Sequence, residues 1–113
     1  MVLTRDVHAH WAADVQERFD DPTSATVATE LVASSITSGG DGSEAQDDTA
    51  GILADNPHIR FYNNRRGYVR TRFTGSELRA DFRVVPYVSH PGAPVQTRAS
   101  FLVGDRERGI DPV

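Results

Sequence analysis

A chain of 113 residues with 38% hydrophobic and 25% charged residues has the composition of one ordinary globular domain, and no disorder is implied. A formal net charge of -4 excludes a nucleic-acid binder that works by neutralising phosphates, which needs a basic face. Cysteine is absent, which excludes disulfides and thiolate metal sites, and no apolar run is long enough to span a bilayer.

The chain opens on a short apolar run, Met1 to Thr4, that ends in acid and imidazole groups at Asp6, His8 and His10. A strand here lacks preceding turn chemistry, so the start reads as cut. Trp11, Val15 and Phe19 then recur at a spacing of four with the polar Asp14, Gln16, Glu17 and Arg18 between them, which predicts a short amphipathic helix stopped by Asp20-Asp21-Pro22. In that helix Trp11 is a core anchor.

From Thr26 to Ile36 the period changes to two, predicting a strand rich in β-branched residues. It leads into Ser38-Gly39-Gly40-Asp41-Gly42, which is either an ordinary strand-to-helix turn or a phosphate-cradling loop without lysine. Ser43 and Gln46 have capping-box spacing, and Ala45, Thr49, Ile52 and Leu53 share one face of the helix expected next. Asp55-Asn56-Pro57 ends it.

The second half reads as β. His58–Tyr62 and Tyr68–Phe73 alternate, and the Asn63-Asn64-Arg65-Arg66-Gly67 connector predicts a hairpin with a solvated tip, or one that clamps a phosphate. Leu78, Ala80, Phe82 and Val84 form the inward face of a further strand, with Arg79, Asp81 and Arg83 on a solvated outer face. Prolines and a glycine make Tyr87 to Thr97 a loop, Arg98 to Val103 is a last strand, and Gly104 to Val113 is expected to fray.

Asp6 and His8 sit two apart, so on an extended segment they face the same side and can approach one metal ion or two neighbouring ones. Carboxylate suits hard cations, and imidazole suits zinc or iron. His10 is a substrate contact, a third ligand or a surface histidine at a helix start. No Ser/His/Asp arrangement can be drawn from spacing.

Five blocks carry a resemblance: Val2 to Trp11; Glu30 to Gly42; Asn56-Pro57-His58-Ile59-Arg60-Phe61-Tyr62-Asn63; Arg66-Gly67-Tyr68-Val69-Arg70; and Pro91-Gly92-Ala93-Pro94 with Thr97 to Phe101. In this order, across nearly the whole chain, they resemble the C-terminal portion of PhoD-type alkaline phosphatases. The resemblance implies hydrolysis of phosphate mono- or diesters at a centre of iron with calcium. Asp6 and His8 match the family's Gly-Asp-Val-His metal loop, and Arg5 stands where that loop has glycine. Further ligands, a cysteine and a tyrosine among them, come in the family from a long N-terminal portion, so the chain alone is expected to hold no complete metal cluster and to turn over little or no substrate. The family is typically exported, whereas this chain has no signal peptide and as written stays in the cytoplasm.

These readings together predict an α/β (α+β) chain in which residues 1–113 form a single domain. It is a partial two-layer metallophosphatase-like sandwich, mostly strands with two short helices, with an unpaired sheet edge and an exposed apolar face. The expected partners are a phosphate-ester substrate and a second copy or the missing N-terminal part, with no nucleic acid and no membrane. The alternative is a non-catalytic β-rich interaction module or a truncated gene product.

Overall fold

The computed structural model describes all residues from 1 to 113. Eight strands form two four-stranded sheets. In chain order they are β1 (Val2–Thr4), β2 (His10–Gln16), β3 (Thr26–Val32), then helix α1 (Thr49–Asp55), β4 (Ile59–Asn63), β5 (Arg66–Phe73), β6 (Glu77–Val85), β7 (Gln96–Gly104) and β8 (Asp111–Pro112). The first sheet has the order β1-β3-β2-β4 and the second β5-β6-β7-β8. No helix is long and apolar enough to cross a membrane.

The sheets pack face to face. Ala12 and Leu31 from the first meet Leu78, Ala80, Phe82 and Phe101 from the second, with Phe61 against them. The ring centroids of Phe61 and Phe82 lie 4.9 Å apart, and Phe101 stands edge-on to Phe82 at 5.9 Å. The alternation in β6 therefore does what its pattern predicts: Leu78, Ala80, Phe82 and Val84 are all buried. The two-layer, mostly stranded architecture is as expected, although the strands complete two sheets, and there is one helix where two were predicted.

The missing helix is β2. A spacing of four between Trp11, Val15 and Phe19 is close to one helical turn, but it is also two strand periods. In the sheet Trp11, Ala13 and Val15 line the outer face, while His10, Ala12 and Asp14 are buried beneath it. The polar residue that suggested a solvated helix face, Asp14, is held by a 2.8 Å ion pair with Arg60 Nη1 and accepts the N–H of Ile110 at 3.1 Å.

Three other expectations are corrected. β4 and β5 belong to different sheets, so Asn64-Arg65 is a crossing between layers and not a hairpin tip. The tail does not fray: β8 pairs with β7, and Ile110 is 2% exposed in the core. The capping box does not form either, because Ser43 Oγ donates to the Ala45 carbonyl and α1 begins only at Thr49.

The two outer faces differ. That of the second sheet is polar and organised around Asp81, 5% exposed, which receives Arg70, Arg79 and the Ser100 hydroxyl. That of the first is apolar, a shallow cavity of ≈ 420 Å³ over Trp11, Val15, Val32 and Ile59 with Phe19 and Val7 at its rim.

Candidate functional site

β1 delivers the chain to the candidate corner, pairing in parallel with β3 from Val2 to Thr4 and then leaving the sheet. Asp6 and His8 both have positive φ, 101° and 51°. Left-handed backbone costs a non-glycine residue about 1–3 kcal/mol, and it persists only where surrounding contacts hold it. Both residues line one cavity of ≈ 440 Å³, with Arg5, Ser34, Ser35 and Ser38. They share it through these two left-handed turns and not, as the spacing suggested, along an extended segment. Arg5 does not adopt positive φ, so no backbone requirement for glycine exists at its position. Its exposed side chain lines both the apolar cavity and this one.

The donor types at this corner suit a metal ion, one carboxylate and one imidazole. Their number does not complete a site: no group of three or more His, Cys, Asp or Glu side chains is brought together anywhere in the chain. The residues present can furnish part of a coordination sphere.

His10 lies behind the corner. It is fully buried, with its ring edge-on to Phe82 at 5.4 Å. Its Nδ1 accepts the N–H of Ser34 at 3.1 Å, which places the proton of the neutral ring on Nε2. Burial, and then the charge of Arg66, push its pKa down to about 4. His10 is thus not the surface histidine of one expectation, and no atom of it reaches the solvent through which a substrate would arrive.

The glycine loop closes over the corner from the other side. Gly39, Gly40 and Gly42 all have positive φ. A Cβ on Gly39 would meet Arg66 Nη1 at 2.9 Å and His8 Nδ1 at 3.1 Å, and one on Gly42 would meet the Asn64 carbonyl oxygen at 2.1 Å. Gly39 and Gly42 are needed because side chains and backbone press directly on the loop, whereas Gly40 is favoured by its φ alone. Asp41 Oδ1 accepts the N–H groups of Val88 and Ser89, tying the loop to the proline-rich segment.

Beneath these elements lies Arg66, 1% exposed and without a carboxylate within ion-pair distance. Its Nη1 donates to Ser35 Oγ at 3.0 Å and to the Ser38 carbonyl at 2.9 Å, and its Nη2 donates to the Asn64 carbonyl. The side chain of Asn64 donates onward to the His8 carbonyl at 3.2 Å. The sequence reading placed Asn64 and Arg66 at an exposed tip and so missed this set. The one available signal was that two asparagines and a glycine surround the arginine, a pattern that also serves a crowded corner.

Comparison with known proteins gives consistent results. The family model described as PhoD-like phosphatase matches residues 1–82. Alkaline phosphatase D of Bacillus subtilis (strain 168) is 46% identical over 113 residues, which are 100% of this chain and 19% of that protein. A solved structure described as "Structure of PhoD" superposes with a TM-score of 0.93 at 46% identity, covering 99% of this chain and 22% of the other. The chain therefore spans about a fifth of the length of the relatives it matches.

Proposed function

The chain belongs to the PhoD-like phosphatase family, and from that premise we propose that it is the C-terminal segment of an alkaline phosphatase or phosphodiesterase that hydrolyses phosphate esters with bound metal. Metal ions at such a centre polarise the phosphoryl oxygen, lower the pKa of bound water and neutralise the leaving alkoxide. In this reading Asp6 and His8 are this chain's metal ligands, with iron and calcium as the ions. His10 serves from behind, as the buried neutral ring that holds the Ser34 backbone under the same cavity, and the expected contact with substrate would require that layer to open. The export typical of the family belongs to the same proposal, and cell fractionation tests it.

The observation that carries the reading is the pair of left-handed residues, Asp6 and His8, opening on one polar cavity at the end of an edge strand. Strained backbone under two ligand-type side chains is a device of functional sites more than of scaffolds. Two donors do not enclose a multinuclear centre, so the chain alone is proposed to be incomplete. The test is hydrolysis of p-nitrophenyl phosphate esters by the purified chain with Ca²⁺ and Fe³⁺. Turnover no higher than that of the Asp6→Ala, His8→Ala double variant agrees with the proposal, and turnover well above it overturns the claim of incompleteness.

A second reading, an interaction module that completes another chain, is favoured by the apolar outer face of the first sheet. Phe19 is 60% exposed there, and Val7 is similarly open. Solvent-exposed apolar surface of this kind, beside an unpaired strand edge, marks an association site.

A further inference from the structure

We infer that Asn64 and Arg66 are positioning residues for His8, holding its imidazole at the cavity through the backbone and not by contact with any substrate. The inference rests on the reading of Asp6 and His8 as the ligand pair. It adds the part of the chain that sets their geometry.

The argument starts from cost. A buried guanidinium with no carboxylate partner loses hydration that neutral acceptors only partly replace. Arg66 is 1% exposed, burial lowers its pKa, and its Nε has no hydrogen-bond partner. What the guanidinium does that an apolar side chain cannot is donate in several directions from one rigid plane. Its acceptors lie on two separate segments: Ser35 and Ser38 in the loop after β3, and Asn64 in the crossing from β4 to β5.

Both segments meet His8. The Asn64 side chain donates to the His8 carbonyl, which fixes the peptide that follows the left-handed residue. The Asn64 N–H is taken by the Ser43 carbonyl at 3.0 Å, and the Gly67 N–H by the Ser35 carbonyl at 2.9 Å, so the crossing is pinned on both sides. Gly39 lies against both Arg66 Nη1 and His8 Nδ1, leaving room for no side chain between them. His8 is therefore held by its carbonyl and flanked at its ring, and both restraints trace to the same two residues.

The test uses the purified chain and needs neither metal nor turnover. Backbone ¹³C chemical shifts of His8 report its left-handed conformation. They are read in Asn64→Ala, in Arg66→Lys and in Leu78→Ala, a core variant that loses stability without touching the corner. The expected result is loss of the left-handed signature at His8 in Asn64→Ala and in Arg66→Lys, because an ammonium keeps the charge but lacks the planar fork, with the signature intact in Leu78→Ala. A folded Asn64→Ala protein with unchanged His8 shifts overturns the inference. The same holds for full rescue by lysine, or for an equal loss in Leu78→Ala. Where Arg66→Lys does not fold, Asn64→Ala carries the test. If the chain proves to have no part in phosphate-ester hydrolysis, these shifts still decide the positioning claim, so the two readings fail separately.

Discussion

The carboxylate of Asp14 accepts the backbone N–H of Ile110 at 3.1 Å, joining a strand of the first sheet to the tail that closes the second across 96 residues of sequence. Its other oxygen takes Arg60 Nη1 at 2.8 Å. Gly109 makes the approach feasible: at φ 97° its missing Cβ would stand 3.1 Å from Asp14 Oδ1. Replacing Asp14 by alanine leaves a buried N–H without a partner, which costs about 1–3 kcal/mol. Urea unfolding of Asp14→Ala should show that loss, and Arg60→Ala, whose side chain is half exposed, should lose much less.

The glycine loop separates steric need from conformational need. Gly42 and Gly40 have φ of 70° and 74°, yet a Cβ at Gly42 meets the Asn64 carbonyl at 2.1 Å while one at Gly40 meets nothing within 4 Å. Gly40→Ala should cost about 1–2 kcal/mol, the ordinary price of a left-handed alanine. Gly42→Ala should cost clearly more, because backbone must move as well. Thermal unfolding of the two variants side by side measures the difference.

Two buried groups destabilise the chain on acidification, in different pH windows. His10 in the folded state binds its proton only near pH 4, whereas the unfolded ring binds it near 6.5. Between those values the unfolded state holds more protons, so stability is full above about pH 6.5 and falls as the pH drops to about 4, by at most about 3 kcal/mol. In His10→Phe that slope should vanish.

Asp81 acts lower. The Ser100 hydroxyl, then Arg70 and Arg79, hold its carboxyl well below the usual carboxylate value of 3.8. Its contribution is complete above that value and is lost as the pH falls further through the depressed folded pKa. Asp81→Asn should therefore be less stable than the parent at pH 7, and the gap should narrow below pH 4. Denaturant titrations at pH 7, 4 and 2.5 follow both effects.

The apolar outer face of the first sheet predicts self-association of the isolated chain. Light scattering after size exclusion should show species heavier than 12.4 kDa at high concentration. Phe19→Ser, with Val7→Ser, should shift them toward the monomer. A parent chain that stays monomeric at every concentration contradicts the interaction reading.

Much of this was legible in the sequence where one physical signal dominated. β6 shows strict alternation over a fully covered face, and its inward residues are those the pattern names. The helix α1 stops where the proline after Asn56 requires it. What misled was ambiguity in period and sign: a four-residue spacing serves helix and strand alike, and the acid Asp14 looked solvated although Arg60 and Ile110 satisfy it. Ile110 itself is a lone apolar residue in a charged tail, too little pattern to announce a strand. At the candidate corner the residue types were readable, but the left-handed φ of Asp6 and His8 and the buried role of Arg66 arise from contacts far apart in sequence.

The central claim is that Asp6 and His8 serve a phosphatase centre completed by residues outside this chain. The direct measurement places this chain in the alkaline phosphatase D of Bacillus subtilis (strain 168) in exchange for the matching 19% of that protein, and follows phosphate-ester hydrolysis. The account predicts an active chimera in which Asp6→Ala and His8→Ala each lose at least about a hundredfold in rate, since even the partners of metal ligands are worth 10–100-fold. An active chimera whose rate is unchanged by both substitutions would contradict it.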